Sequence, residues 1–117
     1  MNFWQKLAKP FTVLAPMEGV TDVVFRELVA TTAKPDVIFT EFTNVEGINS
    51  KKNKMTDKML KFTENQRLIV AQIWGLKPEY FEVAAEKIAS LGFDGIDLNL
   101  GCPVRDVVKK GACSGMI

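Results

Sequence analysis

Residues 68–73 read Leu-Ile-Val-Ala-Gln-Ile, and they form the clearest β-strand that the sequence predicts. The run is apolar on both faces, which is typical of a strand covered on both sides in a parallel sheet, and Gly75 ends it. Pro78 then suits the first turn of a helix, and Gly92 favours the end of that helix. Residues 94–98 predict another strand. The stretch therefore predicts the βαβ unit of a parallel sheet with a right-handed crossover.

The same alternation extends toward the N-terminus. Residues 12–15 form a short apolar run that Pro16 stops, and Thr21-Asp22 supplies an N-cap candidate for a helix that reaches about Thr32. Residues 36–40 are β-branched and aromatic and predict a second strand, followed by a polar loop. A weaker helical pattern then runs from Met55 to Phe62. Taken together, the chain predicts about four βα units in series.

An open doubly wound sheet and part of a (β/α)8 TIM barrel both fit this order. The barrel is favoured because polar or special residues lie just past the strand ends, where a barrel gathers one site: Met17, Glu18, Glu41, Asn44, Gln72, Asn99 and Cys102. No Gly-x-Gly-x-x-Gly follows the first strand, so the dinucleotide fingerprint of the open sheet is missing. A complete barrel takes about 250 residues. We therefore expect these 117 residues to form the N-terminal half of a barrel.

Composition and charge exclude some classes of protein. With 47% hydrophobic and 25% charged residues, the chain is an ordinary globular sequence and not a disordered one. Its 15 basic and 14 acidic residues give a formal charge of +1, so overall charge provides no argument for a nucleic-acid partner. Residues 1–10 lack the apolar core of a signal peptide, and no stretch approaches the roughly 20 apolar residues of a membrane span. We expect a cytoplasmic protein.

The inventory of reactive side chains directs attention to one cysteine. No histidine is present, which excludes Ser-His and Cys-His catalytic arrangements within this chain. The spacing of Cys102 and Cys113 fits neither a redox pair nor a zinc site, so no metal is predicted. Cys102 follows the last predicted strand in a tight turn, which Gly101 and Pro103 are expected to constrain. Cys102 is therefore the candidate reactive thiol, and Cys113 is expected to be a small buried residue.

Segments at all four predicted strand ends together resemble the tRNA-dihydrouridine synthases. They are Ala-Pro-Met-Glu-Gly-Val-Thr-Asp at 15–22, Thr-Glu-Phe at 40–42, Gln72, and Asn-Leu-Gly-Cys-Pro at 99–103. The resemblance runs from about Thr12 to Ile117 and covers the first half of the family's catalytic barrel. The family continues with the rest of that barrel and a helical domain that helps to hold tRNA. Residues 1–117 would thus be the N-terminal part of an FMN-binding catalytic domain.

The resemblance implies an FMN-dependent reductase that acts on a base in RNA. In the family, NADPH reduces FMN, a hydride passes to C6 of a uridine in tRNA, and a cysteine protonates C5. Cys102 would be that general acid, and Asn99 would hydrogen-bond the uracil or orient the flavin. Gln72 would bond the polar edge of the flavin ring, which Pro16, Met17 and Glu18 would line. The chemistry agrees, because a thiol with an ordinary pKa of about 8.5 still holds its proton at neutral pH.

Basic residues at two places are candidates for contacts with tRNA phosphates. Arg105, Lys109 and Lys110 follow the cysteine turn, where a flipped uridine would bring its flanking phosphates. A second cluster lies past the second strand: Lys51, Lys52, Lys54, Lys58 and Lys61. This cluster is either a solvated helix face or part of an RNA-binding surface.

Two other functions stay open at this point. One is a different FMN barrel that acts on a small molecule, of the dihydroorotate dehydrogenase or ene-reductase type. The other is a non-catalytic fragment, because the later strands of the family supply a lysine and further phosphate-binding groups for FMN. An isolated half barrel is also expected to self-associate through its open sheet edges and apolar interior.

Overall fold

The computed structural model describes residues 2–50 and 54–117 and has α/β architecture around an all-parallel sheet, as predicted. The strands are β1 (Val13–Leu14), β2 (Val37–Phe39), β3 (Thr43–Asn44), β4 (Ile69–Trp74) and β5 (Gly95–Leu98). The α-helices are α1 (Val23–Thr32), α2 (Val45–Asn49), α3 (Lys54–Met59), α4 (Pro78–Ser90) and α5 (Arg105–Val108). Short 3-10 helices lie at Phe3–Lys6, Glu64–Gln66 and Cys113–Met116.

Strand β4 is the centre of the sheet. Its residues Val70 and Ile73 each have a partner on both sides, with β5 on one edge and β2 or β3 on the other. Strands β2 and β3 therefore occupy one strand position, and β1 pairs with β2 outside them. The resulting order of four strand positions follows the order of the chain. Within the described residues the sheet is open, as expected for one half of a (β/α)8 barrel.

The second strand position is interrupted at residues 40–42, which the sequence did not predict. The strand expected over 36–40 ends at Phe39, and pairing with β4 resumes at Thr43. Within the break, the Thr40 hydroxyl accepts the backbone N–H of Gln72 at 3.2 Å and donates to the Glu41 carbonyl at 2.8 Å. The side chain thus replaces one bond of the ladder. Because the Thr40 hydroxyl accepts the Gln72 N–H, the chain can turn here without leaving that buried donor unsatisfied.

The segment after this break also differs from the prediction of a polar loop. Helix α2 forms there because Asn44 caps it, accepting the Gly47 N–H at 3.1 Å, and because Val45 and Ile48 are buried. The helix is too short for its periodicity to be read from the sequence. The next helix, α3, ends at Met59, so Phe62 lies outside it.

The helix ends that the sequence predicted are confirmed. Asp22 caps α1 by accepting the Phe25 N–H at 2.8 Å. Pro78 is the first residue of α4. Gly92 follows that helix with a φ of +85°, a left-handed conformation that glycine adopts without strain. None of the helices in the described part of the chain is both long and apolar enough to span a bilayer.

The two faces of the sheet differ in what covers them. Ala71 and Ile73 of β4 pack against helices on one face, with Val45, Ile48, Leu60, Ala84 and Ile88. On the opposite face, Val70 packs with Val37 and Phe39 against the aromatic residues of the N-terminal 3-10 helix, Phe3 and Trp4. Side chains alternate along a strand, so Gln72 shares this second face with Val70. This second face, called the inner face below, is therefore apolar where the strands start and polar at their carboxyl ends.

Arg26 on α1 is fully buried, which is unusual for a charged residue. Its guanidinium donates to the Thr21 carbonyl at 2.6 Å, to Oε1 of Gln66 at 3.0 Å and to the Lys61 carbonyl. Burial lowers the pKa of Arg26, and the carboxylates of Glu41 and Asp22 oppose that shift. The guanidinium thus ties the loop between β1 and α1 to residues 61–66.

Candidate active site

The carboxyl ends of β4 and β5 bring together two of the predicted site residues and one unexpected carboxylate. Gln72 and Asp97 are paired in register, so their side chains lie side by side. Nε2 of Gln72 donates to Oδ2 of Asp97 at 2.6 Å, and Nδ2 of Asn99 donates to Oε1 of Gln72 at 3.0 Å. Gln72 is only 7% exposed, whereas Asp97 and Asn99 are partly exposed. Asp97, Gln72 and Asn99 therefore form one connected cluster.

The turn that carries Cys102 continues from this cluster. Oδ1 of Asn99 accepts the backbone N–H of Cys102 at 3.0 Å and that of Gly101 at 3.2 Å. On the other side, the Ser114 hydroxyl donates to the Cys102 carbonyl at 2.9 Å. The Cys102 side chain is partly exposed. The backbone of this residue is thus held from both sides while its thiol stays accessible.

The expectation that Gly101 supplies a special backbone conformation is wrong. Its φ lies outside the left-handed region, and a Cβ at this position would meet nothing within 4 Å. The side-chain hydrogen bonds of Asn99 and Ser114 determine the shape of the turn instead.

Cys113 is buried, as predicted. It is 1% exposed and packs with Val107 and Ala112 against Trp74 and Cys102. Burial raises the pKa of the Cys113 thiol, and the nearby Cys102 thiol adds to the shift. The two cysteines at this apolar cluster therefore differ in exposure, and Cys102 is the more exposed of the two.

The loop after β1 holds Pro16, Met17 and Glu18 at the same edge of the sheet. The Met17 N–H donates to the Thr21 hydroxyl at 3.0 Å, and the Met17 carbonyl accepts the Thr21 N–H at 2.9 Å. These bonds occupy the Met17 backbone, while its side chain is 41% exposed. Contact with a ligand through Met17 would therefore use the side chain and not the backbone.

Glu41 joins this loop to the break in the second strand position. Its Oε1 accepts the backbone N–H of Gly19 at 2.7 Å, and the residue is 7% exposed. Among the described residues, the hydrogen bonds of 16–18 do not extend to Gln72 or Cys102. The loop after β1 and the cysteine cluster lie at the same edge of the sheet, and each is held by its own hydrogen bonds.

The predicted basic residues that the structure describes are exposed. Arg105, Lys109 and Lys110 are exposed and follow the cysteine turn on α5 and just beyond it. Of the other cluster, Lys51 and Lys52 lie outside the described residues, and Lys54, Lys58 and Lys61 are exposed. Lys58 and Lys61 line a groove of about 440 Å³ together with Gly19 and Glu41. Within residues 2–50 and 54–117, no cluster of acidic or sulfur side chains has the arrangement of a metal site.

Sequence reasoning assigned no role to two residues of this region. Asp97 alternates with the apolar Ile96 and Leu98 along β5, and this period-2 pattern was the signal that it shares a face with Asn99. Trp74 packs against the cluster of Val107, Ala112 and Cys113, and its ring centroid lies 5.6 Å from that of Phe42. No feature of the sequence singles out Trp74, because its position depends on two segments that meet only in the fold.

Comparison with known proteins gives one consistent result. The sequence pattern of the dihydrouridine synthase (Dus) family matches residues 13–117. A "Probable tRNA-dihydrouridine synthase" of Staphylococcus aureus (strain COL) is 52% identical over 122 residues, and a "Probable tRNA-dihydrouridine synthase 2" of Bacillus subtilis (strain 168) is also 52% identical. Each match covers 99% of this chain and 36% of the relative. The chain therefore spans about a third of the length of these relatives.

Proposed function

This chain belongs to the dihydrouridine synthase family, and we propose that its protein is a tRNA-dihydrouridine synthase. The activity would be the FMN-dependent, NADPH-driven reduction of uridine to 5,6-dihydrouridine in tRNA. The observation that carries the proposal is the partly exposed Cys102, held in its turn by Asn99, which also bonds Gln72 near the carboxyl end of β4. We also propose that residues 1–117 are the N-terminal part of the catalytic barrel, which further strands and a helical tRNA-binding domain would complete.

The amide of Gln72 and the side chains of the loop after β1 have the chemical character needed to contact an FMN ring. The Gln72 amide uses one N–H toward Asp97 and one lone pair toward Asn99, so one donor and one acceptor remain. A flavin edge presents N–H and C=O groups side by side, which such an amide can match without adding charge. Pro16, Glu18 and the exposed side chain of Met17 would line the ring. FMN, reduced by NADPH, would supply the hydride that adds to C6 of the uracil.

The role of Cys102 follows from what that addition leaves behind. A hydride at C6 places negative charge on C5 and the adjoining carbonyl of the base, and C5 then needs a proton. The Cys102 thiol would transfer its proton to C5, and the electron pair of the broken S–H bond would remain on the sulfur as thiolate. With no histidine in the chain, the thiol is the natural donor on this loop. Asn99 would hold the turn and meet the uracil.

The substrate class is supported by the names of the relatives and by the basic rim. A base inside a folded RNA must be flipped out to reach a thiol in a barrel mouth, and its flanking phosphates then lie at the rim. Arg105, Lys109 and Lys110 are exposed next to the cysteine turn and would meet those phosphates. A tRNA substrate also supports a cytoplasmic location.

The substitution Cys102→Ala in the complete gene product tests the proposal. We expect the variant to bind FMN and to be reduced by NADPH normally, because the flavin contacts are untouched. Dihydrouridine formation should fall by about 10²–10⁴-fold, the usual loss on removal of a general acid. Mass spectrometry of the treated tRNA measures the product.

Cys113→Ser is the matched control, since this thiol is 1% exposed and cannot reach a substrate. It should retain both flavin reduction and product formation. A normal yield of dihydrouridine from Cys102→Ala would contradict the assignment of Cys102 as the acid.

By itself, the chain has surfaces that support the proposal of self-association. Strands β1 and β5 each pair on one side only among the described residues. On β5, Ile96 is 39% and Leu98 is 54% exposed, and Leu98 lines an apolar groove of about 290 Å³ with Leu100. Unpaired edges and exposed apolar side chains favour pairing with a second copy.

A further inference from the structure

Asp97 stands at the start of a series of side-chain hydrogen bonds that ends at the Cys102 turn. The series runs from Oδ2 of Asp97 to Gln72, from Gln72 to Asn99, and from Asn99 to the backbone N–H groups of Gly101 and Cys102. We propose that Asp97 is a positioning residue that fixes the orientation of both amides and so fixes the turn that presents Cys102. The consequence of this role for catalysis rests on the proposed function.

The direction of the series follows from the chemistry at its two ends. An ionised carboxylate only accepts hydrogen bonds, so Asp97 requires the NH2 group of Gln72 on its side. The Oε1 of Gln72 must then face Asn99 and accept from its NH2 group. This places Oδ1 of Asn99 toward two backbone N–H groups, which only donate. The acceptor-only end and the donor-only end therefore demand the same orientation of both amides.

Rotation of either amide would create like-against-like contacts at short range. A rotated Gln72 would place its oxygen 2.6 Å from the Asp97 carboxylate and its NH2 group 3.0 Å from that of Asn99. A rotated Asn99 would direct its NH2 group at two N–H donors. Water cannot fully compensate at Gln72, which is 7% exposed, although the Asn99 bonds to Gly101 and Cys102 are more open to solvent. The carboxylate of Asp97 thus stabilises one arrangement of the whole series.

Replacement of the carboxylate by an amide removes one of the two fixed ends of the series and so weakens this preference. In Asp97→Asn, the new side chain can donate or accept, so only the backbone N–H groups of Gly101 and Cys102 still favour one orientation of the two amides, and that orientation is held less strongly. The variant keeps the size of the side chain and removes only its acceptor-only character. The effect should therefore reach the cysteine turn, although Asp97 has no hydrogen bond to Cys102 itself.

Backbone amide exchange at Gly101 and Cys102 measures this effect without any requirement for enzymatic activity. In Asp97→Asn we expect the exchange of these two amides to accelerate about tenfold, as for the loss of roughly one net hydrogen bond. The matched control is Asp36→Asn, since Asp36 accepts from the Thr12 N–H at 2.7 Å at the opposite end of the strands. That variant should leave both amides unchanged. Equal acceleration in the two variants would indicate general destabilisation and overturn the proposal.

A double-mutant cycle tests whether Asp97 acts through Asn99. In the complete gene product with its flavin, Asp97→Asn should lower the kcat of dihydrouridine formation about tenfold while the KM for tRNA stays within about twofold. In an Asn99→Ala background, the same substitution should cause no further loss, because the series is already broken. Additive losses would show that Asp97 acts independently of Asn99 and would contradict the proposal.

A measurement on the unsubstituted protein covers the case in which Asp97→Asn does not fold. Each side-chain NH2 group of Gln72 and Asn99 should show one slowly exchanging proton, the one bonded to Asp97 or to Gln72. Rapid exchange of both protons in either group would overturn the positioning role. These exchange results hold whether or not the protein makes dihydrouridine. Failure of the unsubstituted enzyme to make the product would instead reject the proposed function alone.

Discussion

The two cysteines of this chain show how surroundings decide the chemistry of a single residue. Cys102 and Cys113 contact one apolar cluster, and Ser114, the residue after Cys113, bonds the Cys102 carbonyl. Cys102 is partly exposed, whereas Cys113 is 1% exposed with a φ of 50°. Desolvation disfavours the thiolate of Cys113 and so raises the pKa of this thiol. Only Cys102 combines a fixed backbone with an accessible sulfur.

This difference predicts selective alkylation. Iodoacetamide at pH 8 should modify Cys102 and leave Cys113 unmodified until the protein is unfolded. Burial raises the pKa of Cys113 above that of the unfolded thiol, so the stability linked to this group is fully present below the unfolded pKa and is lost as the pH rises through the higher folded pKa. Labelling of Cys113 should therefore appear only at strongly alkaline pH or in denaturant.

Peptide mapping by mass spectrometry separates the two sites. Full labelling in guanidinium chloride provides the reference for each thiol. Equal labelling rates in the folded protein would contradict the buried position of Cys113.

At the scale of elements, buried polar side chains connect segments that sheet pairing leaves apart. The loop between β1 and α1 is tied to residues 61–66 by Arg26 and to the second strand position by Glu41. Both links are side-chain hydrogen bonds and not bonds of the strand ladder. The position of the loop that carries Met17 therefore depends on two buried charged side chains.

Removal of the Arg26 guanidinium should destabilise the fold strongly. Arg26→Met keeps the apolar stem but leaves the Thr21 carbonyl and Oε1 of Gln66 without their donor in a buried place. We expect a loss of about 3 kcal/mol in the free energy of unfolding, since hydrogen bonds to charged groups contribute roughly 1.5–3 kcal/mol and orphaned acceptors add to the cost. Urea denaturation followed by circular dichroism measures the change.

Arg67→Met is the matched control for this substitution. Arg67 also makes several hydrogen bonds, but its side chain is 32% exposed, and its partners Glu64 and Asp94 are 81% and 20% exposed. We expect a loss of about 1 kcal/mol or less, as for exposed ion pairs. Similar losses in the two variants would show that burial does not determine the role of Arg26.

At the scale of the whole molecule, the described sheet has one well-covered centre and two open edges. Strand β4 is buried along nearly its entire length, whereas β5 alternates between half-buried and exposed residues. The N-terminal 3-10 helix covers the inner face only at the strand starts, where Phe3 packs beside Gly95. The polar carboxyl ends are left open to a ligand, and the edge at β5 is left open to another strand.

This arrangement predicts that the 117-residue chain associates with itself. Sedimentation velocity should show an average mass that rises with concentration, because exposed β5 edges can pair. Leu98→Lys should reduce this association, since a lysine on an edge strand opposes edge-to-edge pairing. Val24→Lys on α1, where Val24 is 71% exposed, should have less effect. A strictly monomeric chain at all concentrations would contradict the prediction.

The sequence by itself determined the features that depend on near neighbours. The period of apolar residues, the cap at Asp22 and the stop at Gly92 predicted α1, β4 and α4 to within a few residues, because φ restrictions and hydrogen bonds over a few residues control them. The order of strand and helix predicted the parallel sheet, and the motif at residues 99–103 predicted which cysteine is accessible.

Only the tertiary structure decided the features that join distant segments. The break at Thr40, the burial of Arg26 and the link from Asp97 through Gln72 to Asn99 were not predicted. Each depends on side chains 25 to 40 residues apart along the chain. Local preferences do not encode such pairs, because a buried polar group finds its partner only after the strands have set its position. The turn that holds Cys102 therefore needs the neighbouring strand as much as its own sequence.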